Sequence, residues 1–191
     1  MEGLTERTLA AYVNARASMR RELDGWRSEA QLLFYLILAC FLWFVAGLPF
    51  AIYGKEVAAG TPLAGALAAR LFGTVILLPF VMYALAAISR NISRIFGGTG
   101  TYMNARLALF WAFIAAMPAI LALSVIGALS IILFGFSPGI VGVSVGLVQF
   151  CVILGFWSAC LAEAEDFNNE ARVLVFMLSP LMLGFLLHLT I

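Results

Sequence analysis

"RIFGGTGTYMNARLALFW", residues Arg94 to Trp111, joins two long apolar runs and is neither plain hydrocarbon nor plain charge. Its glycines, Gly97, Gly98 and Gly100, invite a phosphate cradle. A Walker-type loop needs G-x-x-x-x-G-K-[ST], with a lysine aimed at the phosphates; this stretch has no lysine and follows an apolar run rather than a strand. A dinucleotide fingerprint fails as well, because G-x-G-x-x-G inside a βαβ unit is absent. What remains is a tight link in which glycines take positive φ, end one helix and let the next begin. Two membrane helices joined by a polar turn is therefore the reading from which the fold follows. Arg94 and Arg106 flank the turn, and the anion that suits the start of the following helix is a lipid headgroup.

Working outward, the 191 residues are 64% hydrophobic and 11% charged, with a mean hydropathy of +1.06. Soluble domains have roughly 45–50% apolar and roughly 25% charged residues, so the composition describes an integral membrane protein. Apolar runs of membrane length recur at about 32–53, 62–88, 107–136, 140–162 and 173–190. The expected fold is all-α, with five transmembrane helices in a membrane domain over 31–191, preceded by an N-terminal amphipathic helix within 1–30. In that leading segment Leu9, Tyr12, Met19, Leu23 and Trp26 follow a three-four spacing over 5–27, with Arg16 interrupting the stripe. An interfacial helix is one reading, because a long arginine snorkels toward headgroups; a helix folded onto the protein's own loops is the other. No cleavable leader is expected, since the first thirty residues carry five arginines and no continuous apolar stretch. The third run would be about 45 Å long at 1.5 Å per residue, so it must tilt, bend or project from a core of about 30 Å. Pro118 offers a bend there, as do Pro49, Pro79 and Pro180 in other runs.

Charge sets the orientation. Arg7, Arg16, Arg20, Arg21 and Arg27 precede the first span and Arg90, Arg94 and Arg106 cluster after the second, which places both segments in the cytoplasm and the C-terminus outside. The same topology puts "EAEDFNNEAR", residues 163–172, beside the basic loop, where Glu163, Glu165, Asp166 and Glu170 face Arg90, Arg94 and Arg106. The two loops are expected to attract each other, against the alternative of separately solvated charges. The acidic loop lacks the spacing and turn glycine of a calcium loop, and Cys40, Cys151 and Cys160 have no CxxC spacing, so no metal and no cofactor is expected. A net charge of +1 gives no basis for nucleic-acid binding.

Two further patterns bear on function. "GVSVG", Gly142 to Gly146, fits G-x-S-x-G with Ser144, and His188 is expected near the same outer face, as an intramembrane serine hydrolase would require. The rival reading takes Gly139, Gly142 and Gly146 as a small-residue face for helix packing, within the bundle or between copies. A transporter or lipid-handling bundle is the other alternative; it would draw on Thr74, Ser124, Ser130 and Gln149 near midplane or on helices broken at proline.

The order "SRIFGGTGTY", then "ALFWAFIAAMPAIL", then "LAEAEDFNNEARVLVFMLSPLML" resembles bacterial members of the Yip family, the Ypt-interacting five-span membrane proteins, over roughly residues 30–191. The resemblance implies five spans, an inner-membrane location, hetero- or homo-oligomers and a scaffold or adaptor role without catalysis. In eukaryotic members it also implies binding of prenylated Rab-type GTPases, but the DLYGP and GYxF signatures of those members are not found here, so the GTPase partner does not carry over. On this reading the lipid bilayer and a membrane-protein partner or a second copy are contacted through Arg94, Gly97, Gly98, Gly100, Arg106, Glu163, Glu165, Asp166 and Glu170.

Overall fold

A computed structural model describes residues 3–25, 28–53, 62–168 and 173, and among these every regular element is helical. Two short helices, α1 (Leu4–Val13) and α2 (Ala15–Asp24), precede α3 (Glu29–Tyr53). Next, α4 (Leu63–Leu71) passes through a π-helical turn, Phe72–Leu77, into α5 (Leu78–Ile95), followed by α6 (Tyr102–Phe134) and α7 (Pro138–Ala164). Four segments are long and apolar enough to cross a membrane: Glu29–Ile52, Leu63–Ile95, Tyr102–Phe134 and Pro138–Ala164. They coincide with the first four predicted spans. The fifth, 173–190, lies outside the described residues except for Val173, which is fully buried in the core.

The single N-terminal helix predicted over 5–27 is instead a helical hairpin. Asn14 breaks it by adopting an extended backbone, φ −156°, and its side chain accepts the Ala17 N–H, so that Asn14 caps α2 rather than continuing α1. Short amide side chains favour this arrangement because they compete with the backbone for its own donors. Of the predicted stripe, Met19 is fully buried and Leu23 packs against the core, but Leu9 and Tyr12 face outward and Trp26 lies outside the described residues. The hairpin lies on the bundle, touching α6 and α7.

The centre of the fold is α6. Its first half is buried on every side, with Ala105 and the whole of Leu107 to Met117 in the core, while Val125, Ile126, Leu129, Ile132 and Leu133 of its second half point outward. The excess length foreseen for this run is thus taken up by a segment wrapped in the chain's own helices, α1, α2, α3, α5 and α7. Trp111 sits at the middle of that segment, with the Arg7 guanidinium 5.1 Å above its ring and its indole N–H donated to Ser18 Oγ at 3.3 Å.

The prolines act as backbone chemistry demands. Pro79 has no N–H to return to the preceding turn, and the helix absorbs this by widening just before it, with Leu78 N–H donating to Gly73 five residues back. Pro118 stays inside α6, and beside it the Ala119 N–H donates to the Tyr12 hydroxyl at 3.0 Å. Pro49 stays inside α3, and near it Arg70 of α4 lays its guanidinium against Gly47. A Cβ at Gly47 would collide with Nη2 and Cζ of Arg70, so this glycine exists to seat an arginine about 10 Å inside the end of α4. Gly47→Ala is accordingly expected to unseat Arg70. In unfolding measurements in detergent, Gly47→Ala and Arg70→Ala should be non-additive, with a coupling on the order of 1 kcal/mol; additive effects would remove the seat.

Candidate functional site

Charged groups gather at one end of the bundle, where α3 and α6 begin and α5 and α7 finish. Two helix ends meet there in the same way. At the end of α5, Gly97 takes φ +88°, and the Gly98 N–H reaches back to Ser93 O at 2.8 Å. At the end of α7, Asp166 takes φ +58°, and the Phe167 N–H reaches back to Ala162 O at 2.8 Å. Both are left-handed C-terminal turns that satisfy otherwise orphaned carbonyls. Gly97 serves through its backbone conformation alone, since a Cβ there would meet nothing within 4 Å.

The two turns are joined through Glu165, whose side chain has no exposed surface. Arg90 Nη1 donates to its Oε2 at 2.6 Å and to the Gly98 carbonyl at 3.1 Å. The Gly100 N–H donates to the same Oε2 at 3.0 Å, and the backbones join directly where Thr99 N–H meets Glu165 O at 3.2 Å. Thr99 Oγ1 adds a bond to Asp166 Oδ2 at 3.1 Å. Oε1 of Glu165 and Oγ of Ser93 are buried without a hydrogen-bond partner. Burial pushes the Glu165 carboxyl above its ordinary range, outweighing Arg90 and the Gly100 N–H, which pull it down. The glycines make this seat possible: a Cβ at Gly98 would lie 2.7 Å from Glu165 Oε2, and one at Gly100 would overlap the Ala164 carbonyl and come within 2.9 Å of Glu165 Cδ.

The loop attraction read from charge is therefore present, but with a different division of partners. Arg94 is exposed and has no acidic partner among the described residues. Arg106 pairs with Glu29 of α3 at 2.8 Å and lies 5.9 Å over the Tyr83 ring. Glu163 is taken by the hairpin, accepting from Arg16 Nε at 2.9 Å and Arg20 Nε at 2.6 Å, while Arg16 Nη2 also donates to Phe167 O at 3.0 Å. Arg7 in turn pairs with the buried Glu22 and donates to the Tyr35 hydroxyl at 3.0 Å. Glu170 lies outside the described residues. Arg90, counted on the sequence in the basic loop that faces the acidic one, was not among the expected contact residues, yet a signal was there: Met82, Ala86, Ser89 and Ser93 form the buried face of α5, and Arg90 falls on it at Ala86 plus four.

The other candidates separate. Gly139, Gly142 and Gly146 do not mediate packing inside the described chain: a Cβ at Gly146 meets nothing within 4 Å, and at Gly142 only Phe50 at 3.8 Å. The close glycine of this region is Gly127 of α6, wedged against Phe50 and Val145. Ser144 lines an apolar groove between α6 and α7 with Ser130 and Ser137, and His188 lies outside the described residues. The polar groups within the spans are turned to their own helices or neighbours: Thr74 Oγ1 donates to Arg70 O, Ser130 Oγ to Gly127 O, and Gln149 Nε2 to Ile120 O and Ser124 Oγ. Among the described residues no group of three or more histidine, cysteine or acidic side chains could hold a metal ion. No family model, curated protein or solved structure matches the chain.

Two outcomes follow from this geometry. Gly100→Ala is expected to destabilise the protein by about 1–3 kcal/mol, because carbonyl and carboxyl atoms cannot yield, whereas Gly146→Ala should stay within about 0.5 kcal/mol; thermal unfolding in detergent separates them. The second is a pH effect. With its folded carboxyl above the ordinary value of 4.5, Glu165 holds its proton longer when folded than when unfolded. Its contribution to stability therefore falls as pH rises from that ordinary value through the raised one, and is level above it. Glu165→Gln adds a pH-independent offset, so its unfolding midpoint relative to the native protein should climb across that window; a flat difference contradicts the raised carboxyl.

Proposed function

We propose that this chain is a non-catalytic membrane scaffold of the Yip type, with its arginine-rich end in the cytoplasm of a bacterial cell and its C-terminus outside. The observation that carries the reading is where the polar chemistry lies. Within the described spans Thr74, Ser124, Ser130 and Gln149 are bonded to their own or neighbouring helices, and the convergent charges form a buried Arg90–Glu165–Gly100 clasp at one end. A clasp of this kind fixes the shape of two loops through Glu165 Oε2, Arg90 and the Gly98 and Gly100 backbone, which suits a surface recognised by shape. Arg94, exposed beside the clasp, and the Thr99–Asp166 rim are the groups it presents to a membrane-protein partner or to a second copy.

The test is the mass of the protein in lipid nanodiscs formed directly from its native membrane. A species larger than the 20.7 kDa chain, made of further copies or of a stoichiometric membrane-protein partner, is expected. It should be lost in Glu165→Ala with helix content retained. A single chain that releases a bound solute supports the transporter reading instead, and covalent labelling of Ser144 by a fluorophosphonate supports the hydrolase; either overturns the scaffold.

A further inference from the structure

We infer that the tip of the α1–α2 hairpin is a wedge inserted among the lipids of the leaflet on the arginine-rich side, with the edge formed by Leu9, Tyr12 and Val13 in contact with the upper acyl chains. These residues stand at i, i+3 and i+4, on one helical face, and are 56%, 44% and 90% exposed.

Depth carries the argument. Irregular backbone facing lipid does not occur in hydrocarbon, so the α6–α7 turn at Gly135 to Ser137 marks a limit that the hydrocarbon core does not pass. Measured back from that turn, Tyr12 meets α6 at Ala119, about 23 Å from Phe134, and α7 at Phe156, about 27 Å from Pro138. Both distances are shorter than the roughly 30 Å of the hydrocarbon core, and any tilt of the helices shortens them further. Tyr12 and its neighbour Val13 therefore lie no farther out than the boundary. Because Asn14 beside them has exposed, extended backbone, the same rule keeps the tip at that boundary, with the side chains of Leu9, Tyr12 and Val13 reaching the upper acyl chains, the depth at which amphipathic helices rest. The charged parts of the hairpin lie beyond it: Glu163, which holds Arg16 and Arg20, is about 37 Å along α7, and Trp111, under Arg7, is about 35 Å from Phe134.

The break at the tip is built for such a place. Asn14 donates its N–H to Ala10 O, accepts the Ser18 N–H on its carbonyl and the Ala17 N–H on its side chain, so both backbone groups of the extended residue are met. The inference goes beyond the scaffold reading and depends only on α6 and α7 crossing the bilayer.

The test places a polarity-sensitive fluorophore at Val13→Cys, with Thr5→Cys, exposed nearer the charged end, as the aqueous reference. Both are made in a Cys151→Ala background, since Cys40 and Cys160 are buried. In phosphatidylcholine–phosphatidylglycerol vesicles, the label at position 13 should emit to the blue and be quenched by lipids bearing a nitroxide near the top of the acyl chain. Iodide should quench it several-fold less than the label at position 5. Equal iodide quenching at both positions overturns the wedge. Shielding of position 13 from both quenchers overturns it too, because protein would then cover the edge.

Discussion

A carboxylate with no exposed surface governs how the arginine-rich end is built. An isolated carboxylate at such a site would be prohibitively costly, so Glu165 needs a cation and hydrogen-bond donors at fixed positions. Arg90 supplies the charge and Gly100 an N–H. For that N–H to arrive, the chain after α5 must turn back sharply, which Gly97 permits, and must pass without side chains at Gly98 and Gly100. Because Glu165 occupies Arg90, its neighbour Glu163 is left for the hairpin, and Arg16 and Arg20 bring α2 against the end of α7. One buried charge thus couples three connections that are far apart in the chain.

Around α6 the constraint is different in kind. From Leu107 to Met117 it has no polar face at all, so it is stable only while other helices enclose it, and its enclosure by α1, α2, α3, α5 and α7 gives the hairpin a structural duty. The Tyr12 hydroxyl illustrates this: it accepts the Ala119 N–H next to Pro118, whose ring interrupts the helix's own bonding. Thr74 and Ser130 within the spans are satisfied locally for the same reason, since no water is at hand to replace a missing bond.

Much of this was legible from residue types alone. Apolar length located the first four spans, and the glycines of Gly97 to Gly100 announced a turn between two of them because no other residue tolerates that backbone so cheaply. Attraction between the basic and acidic loops was legible too, as net charge is additive along the chain. Which arginine closes the clasp was not, because pairing depends on helix phase and on the exact end of α5; Arg94, one turn beyond Arg90, points outward instead. The split at Asn14 was not legible, since a three-four stripe carries no mark of one extended residue; across it the stripe divides, Leu9 and Tyr12 facing outward while Met19 and Leu23 face the core. The glycine face of α7 is a different case: small-residue spacing states that backbones can approach, and among the described residues the close approach is at Gly127.

The division of charge has a consequence for how such a protein meets its surroundings. Arg7, Arg16, Arg20, Arg90 and Arg106 are each engaged by a carboxylate of the same chain, so the cluster that orients the protein during insertion is largely neutralised once folded. Long-range attraction to anionic lipid is correspondingly reduced, because a paired charge presents a dipole whose field dies within a few ångströms and is screened by salt beyond about 8 Å. What this end leaves exposed is then the rim of the clasp, Arg94 beside it, and the apolar hairpin edge of Leu9, Tyr12 and Val13. A membrane protein whose arginines are spent on its own loops is held in place by what it buries.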